Sequence, residues 1–112
     1  MAKFEVTFNT DFNRLLAYMD SRILESSVSA SFEDSSYRVY NGVQCVVRVY
    51  ERYSVFGSNR LSLTLTLVGY ENQVFVSVIT SGGSQGVFFK FNTIGEEAFL
   101  SKVIDILQSY RE

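Results

Sequence analysis

From Leu61 to Leu67 every second residue is leucine, and each residue between them is serine or threonine. Side chains of a strand point alternately to opposite faces, so this run describes a strand with one face on a hydrophobic core and the other toward solvent. A sheet with one buried face needs a second layer over that face. The rest of the chain has to supply it.

Two segments do so. Phe12, Leu15, Leu16, Met19 and Ile23 recur at three- and four-residue spacings, which gathers them on one helical face and leaves Arg14, Asp20 and Arg22 for solvent. Asn9 or Thr10 is placed to cap this helix, which should end near Glu25. Phe99, Val103, Ile106, Leu107 and Tyr110, widened by Leu100 and Ile104, mark a second helical face. Thr93 followed three residues later by Glu96 matches a capping box at its start.

The remaining segments read as strands. Phe4, Val6 and Phe8 alternate with Lys3, Glu5 and Thr7 in the first. The second starts at Ser27, puts Val28, Ala30 and Phe32 on one side, bends or bulges at Glu33-Asp34-Ser35-Ser36 and resumes at Tyr37. Asn41-Gly42 is the strongest hairpin signal in the chain, because both residues tolerate the positive φ of a type I′ turn. A third strand runs from Val43 to about Phe56, with a turn at Gly57-Ser58-Asn59 before the leucine strand. A turn from Gly69 to Asn72, a fifth strand from Val74 to Thr80, a loop from Ser81 to Gly86 and a sixth strand from Val87 to Phe91 follow. The order β-α-β(5)-α predicts a single α+β domain over residues 1–112, with one antiparallel sheet and two helices packed on one of its faces. That architecture resembles the TATA-box-binding-protein repeat and, in enlarged form, the helix-grip proteins, a likeness of fold that carries no function.

Residue types exclude several chemistries. The chain has no histidine, which removes the usual general base, the Ser-His and Cys-His nucleophile systems and most catalytic zinc sites. Its one cysteine, Cys45, cannot form an internal disulfide and lies in an apolar run suited to an inert thiol. The acidic pairs Glu33-Asp34 and Glu96-Glu97 are adjacent in sequence, so their side chains diverge on a strand or helix and do not converge as an acid/base couple. Ser81-Gly82-Gly83-Ser84-Gln85-Gly86 is glycine-rich, but it leads into a predicted strand, whereas a phosphate loop opens a helix. No cofactor or metal is therefore expected, and an enzyme is the least supported class. Lys3 and Glu5 break the apolar run that a signal peptide requires, and no stretch approaches the ~18–20 apolar residues of a membrane helix, so a soluble cytoplasmic protein is expected.

The segment SGGSQGVFFKFNTIGEEAFL, with RLSLTLTLVGYENQVFVSVITSG before it, resembles a family of short bacterial proteins characterised only as a domain of unknown function. The resemblance implies the same α+β fold in a bacterial cytoplasmic protein. It brings no activity, ligand or catalytic residue.

What remains is surface. With the leucines inward, Ser62, Thr64, Thr66 and Val68 face out, and the same alternation assigns Val46, Arg48, Tyr50 and Arg52 of the third strand, Phe75 and Ile79 of the fifth, and Phe88 and Lys90 of the sixth to that outer face. Aromatic and arginine residues on a solvated sheet face are the composition of a partner surface. The first reading is thus a non-catalytic interaction module, forming a homodimer through the outer face or a strand edge. A carrier of a small apolar ligand, held between helices and sheet, is a second reading. A binder of single-stranded nucleic acid, suggested by arginines and tyrosines interleaved on the third strand, is a third; the net charge of −2 weighs against it.

Overall fold

Short hairpins fix the order of the sheet. In the computed structural model, which describes residues 1–54, 59–82 and 89–112, strands β2 (Ser31–Tyr40), β3 (Val43–Ser54), β4 (Asn59–Tyr70) and β5 (Gln73–Gly82) pair successively antiparallel. Asn41 and Gly42 have φ of 50° and 81°, as a type I′ turn demands, and Tyr40 pairs directly with Val43. Glu71, with φ of 56°, opens the equally tight turn between Tyr70 and Gln73. The first strand β1 (Ala2–Phe8) lies antiparallel along the far side of β5, so the sheet order is β1-β5-β4-β3-β2. Helices α1 (Phe12–Glu25) and α2 (Phe89–Gln108) complete an α+β fold with one five-stranded antiparallel sheet.

Several boundaries differ from the expectations. Asp11, not Asn9 or Thr10, caps α1, its carboxylate accepting from the Arg14 amide at 3.0 Å, while Thr10 is buried and hydrogen-bonded to the Tyr110 hydroxyl at 2.6 Å. β2 starts at Ser31, because Ser27 to Ala30 close a small turn of their own, with the Ala30 amide donating to the Ser27 carbonyl, and leave Val28 in solvent. The bulge falls at Glu33, between Phe32 and Asp34. The expected sixth strand is not formed at Phe89–Phe91, which open α2; Val87 and Phe88 lie outside the described residues, as does most of the loop from Ser81 to Gly86 and Gly57-Ser58 of the turn before β4. Thr93 is consequently inside the helix, not at its cap. Glu96 is buried and serves a different purpose: its carboxylate takes the Met1 ammonium and the Gly82 amide, and its carbonyl accepts from Thr80 at 3.2 Å, which seats α2 against the end of β5.

Both helices lie on one face of the sheet. Phe12, Leu15, Met19 and Ile23 of α1 and Phe99, Val103 and Leu107 of α2 join Leu61, Leu63, Leu65, Leu67, Val74, Val76 and Val78 in one core cluster. Gly69 allows the close approach of α1, since a β-carbon there would lie 2.6 Å from the Phe12 ring. α2 rests on β5 and β1, and α1 rests on β4 and reaches β3 through Asp20. Two helices packed ~10 Å apart roof roughly 20 Å, the width of about four strands at ~4.8 Å spacing. The fifth strand, β2, overhangs.

Candidate interaction surface

The register of β3 overturns half of the predicted outer face. Val46, Arg48, Tyr50 and Arg52 pair with Leu67, Leu65, Leu63 and Leu61, and residues opposite each other in an antiparallel ladder share a face. All four therefore point to the helix side: Val46 and Tyr50 are core residues at 2% and 0% exposure. Phe75 and Ile79 do lie on the outer face, at 38% and 36% exposure. Lys90 is in α2 and not in a sheet strand, and Phe88 lies outside the described residues. The predicted set is split between two sides of the sheet.

The inward arginines are engaged. The Arg48 Nη2 atom donates to the Asp20 carboxylate at 2.7 Å and its Nε to the Tyr50 hydroxyl at 2.9 Å, while that hydroxyl donates to the same Asp20 oxygen at 2.6 Å. The guanidinium also lies 4.3 Å from the centroid of the Phe32 ring, joining α1, β3 and β2 at one point. Arg52 stacks 4.6 Å from the centre of the Phe99 ring, and burial lowers its pKa. Stems buried on the sheet with charged heads at the margin of the helix layer are an ordinary use of arginine. The interleaving that suggested nucleic acid is thus turned inward and occupied.

Burial, reinforced by the hydrogen bond to Asp20 and opposed by Arg48, raises the Tyr50 pKa well above its ordinary value near 10. The phenol stays protonated at neutral pH and donates its hydrogen bond to Asp20. Its stabilising effect is complete below pH 10, where folded and unfolded tyrosine are both protonated. Above that, the unfolded chain ionises while the folded one does not, so stability must fall as pH rises toward the folded pKa. Urea unfolding at about pH 9 and about pH 11 should show wild type losing more stability than Tyr50→Phe, by up to ~1.4 kcal/mol per pH unit. Equal losses in the two proteins would mean that the hydroxyl is not held protonated.

Among the described residues no group of three or more acidic or cysteine side chains is placed to hold a metal, and no helix is long and apolar enough to cross a membrane. Cys45 is half-buried on the outer face, beside Val68 and Arg38. The space between helices and sheet is filled by Leu15, Met19, Leu63, Leu65, Val76 and Phe99, all fully buried. Grooves lie at the surface instead: one of 310 Å³ between the helices, lined by Tyr18, Arg22, Lys102 and Asp105 among others, and an apolar one of 210 Å³ where Phe4, Val6 and Phe8 meet Leu107 and Tyr110.

The outer face carries Val43, Cys45, Val47 and Val49 on β3 and Ser62, Thr64, Thr66 and Val68 on β4, mostly half-buried by one another. β2 differs from every other strand, for nine of its ten residues are exposed. Phe32 (43%), Tyr37 (53%), Val39 (51%) and Tyr40 (71%) place large apolar side chains in solvent along it. Reading each strand by its own pattern misses this surface. The signal that could have found it is arithmetic, since two helices cannot roof more than about four strands.

No curated protein matches this chain. Among solved structures, a hypothetical protein, jhp0584, from Helicobacter pylori is similar over 92% of this chain and 84% of its own, with 9% sequence identity and a TM-score of 0.39. Residues 1–111 match the description "Family of unknown function (DUF6054)", and the chain belongs to that family.

Proposed function

We propose that the protein is a non-catalytic interaction module that pairs with a second copy of itself through the free edge of β2. The observation that carries this reading is the exposure of nine of the ten β2 residues, four of them large and apolar, on a strand at the margin of the helix layer, where Phe12 of α1 reaches the Tyr37 ring at 6.4 Å. A strand held by one neighbour and largely exposed to solvent gains little from its own chain. Free edges are commonly blunted by proline, by lysine, by an inward-pointing charge or by a bulge. β2 has no proline and no lysine, and its bulge at Glu33 protects only the first residues, leaving Asp34 to Tyr40 in regular register. On the outer face the valines of β3 and β4 are half-buried, and Phe75 and Ile79, at 38% and 36% exposure, are less open than the large side chains of β2, which favours the edge over the face.

Sedimentation equilibrium across a concentration series tests the proposal. Wild type should show a reversible monomer–dimer equilibrium, and Tyr37→Lys with Val39→Lys should remain monomeric. Val39 and Tyr37 are 51% and 53% exposed, and Tyr37 gives up its contact with Phe12 and the hydrogen bond from Gln44, so the variant should lose about 0.5–2 kcal/mol in all and keep its fold, checked by circular dichroism. Phe75→Glu on the outer face should dimerise like wild type. A wild type that is monomeric up to about 1 mM would sink the proposal. Dissociation by Phe75→Glu, but not by the β2 variant, would move the interface to the outer face.

A further inference from the structure

We infer that two copies pair their β2 strands antiparallel about a two-fold axis at Ser36, with Asp34 of each copy opposite Arg38 of the other as the residues that set the register. This rests on the strand-pairing reading above and says which of its registers is used. Asp34, Ser36 and Arg38 pair with Val49, Val47 and Cys45 of β3, so all three side chains stand on the outer face. Extending one sheet into another requires a two-fold axis perpendicular to both, which keeps outer faces on the same side. Residues opposite each other across the seam must then share a face, so they differ by an even number of positions, and the axis passes between one residue and its own copy.

The regular stretch from Asp34 to Tyr40 leaves few choices, and its charges decide among them. An axis at Asp34 sets carboxylate against carboxylate, and one at Arg38 sets guanidinium against guanidinium; like charges directly opposite are unfavourable. An axis at Ser35 or Tyr37 pairs the charged residues with neutral ones. Only the axis at Ser36 places Asp34 and Arg38 directly opposite, and symmetry makes the pair occur twice. The small hydroxymethyl side chain of Ser36 then meets its own copy at the centre. On the helix side, Ser35 lies opposite Tyr37, so the two Tyr37 rings face each other diagonally across the seam, covering side chains that are 53% exposed in the single chain. The same two charges discourage pairing with an unrelated strand, since an arbitrary edge would not present both complements at a four-residue spacing.

Charge reversal tests the register. Asp34→Arg and Arg38→Asp alone should each weaken the dimer by roughly 10- to 100-fold, because each replaces two attractive pairs by two repulsive ones, and the double reversal should return to within about 3-fold of wild type. In a Cys45→Ser background, Ser36→Cys should crosslink two copies under mild oxidation, whereas Ser35→Cys and Arg38→Cys, whose partners across the seam are different residues, should not. If the single reversals leave the dimer unchanged, or the double reversal fails to rescue, or Ser36→Cys does not crosslink, the register is wrong. Strand pairing would still stand if Tyr37→Lys with Val39→Lys is monomeric. A wild type that never dimerises overturns both.

Discussion

Tyr50→Ala is expected to lower the free energy of unfolding by about 3–5 kcal/mol, while Val49→Ala, its immediate neighbour, should cost about 1 kcal/mol or less. The contrast follows from facing. Tyr50 is fully buried beneath α1, opposite Leu63, and its ring packs edge-on against Phe32 at 6.0 Å. Truncation removes an aromatic ring from the core, leaves a cavity that surrounding leucines cannot fill, and strips Asp20 and Arg48 of a shared hydroxyl partner. Val49 is opposite Thr64 on the outer face and half-exposed, so its loss opens no enclosed space. Urea unfolding midpoints with unchanged m values measure both costs. Comparable losses, or a larger one for Val49→Ala, would mean that β3 faces the other way.

The same pair of residues shows how far the sequence could be read. β4 was legible because its leucines alternate without exception, and the β2–β3 hairpin because Asn41-Gly42 admits few other conformations. β3 was not, because the facing of a strand depends on how it joins its neighbour. A three-residue turn at Gly57-Ser58-Asn59 would set Phe56 opposite Arg60 and Val55 opposite Leu61, sending Val43, Cys45, Val47 and Val49 into the core. The actual ladder joins Ser54 to Asn59 and Arg52 to Leu61, a change of odd parity that reverses every side chain of the strand. Polarity could not correct the error, because the inward arginines are accommodated by Asp20 and Phe99, groups on other elements. The aromatic run before α2 misled in a different way. Phe89-Lys90-Phe91 has strand propensity, yet these residues open α2, which the contacts of Glu96 with Met1 and Gly82 seat against the end of β5, a tertiary preference that local pattern does not contain. As for the candidate site, the sequence showed that catalysis lacks its usual residues and that an edge or face could pair. Which of them is open depends on where the helix layer stops.

Asp20→Ala should cost about 1.5–3 kcal/mol, more than an exposed residue of α1 would, because one carboxylate oxygen serves both Arg48 and Tyr50. Asp20 is a third exposed and Arg48 a fifth, so the pair is too wet for a deeply buried ion pair and too enclosed for a surface one. Removing the acid leaves a guanidinium on the sheet without its counter-charge and a phenol donor without its acceptor, and a water molecule can replace only part of this. Asp20→Asn keeps an acceptor and should lose about half as much. A double-mutant cycle with Tyr50→Phe should return a coupling energy of about 0.5–3 kcal/mol, since either change alone already breaks the shared bond. The cluster also bears on β2, for the Arg48 guanidinium that Asp20 orients lies on the Phe32 ring next to the Glu33 bulge. Hydrogen exchange in Asp20→Ala should therefore accelerate at Phe32 and Glu33 while the pairing of Arg38 and Val39 with β3 stays protected. Uniform acceleration along β2 would show instead that the strand opens as one piece and that the clamp at its start holds nothing locally.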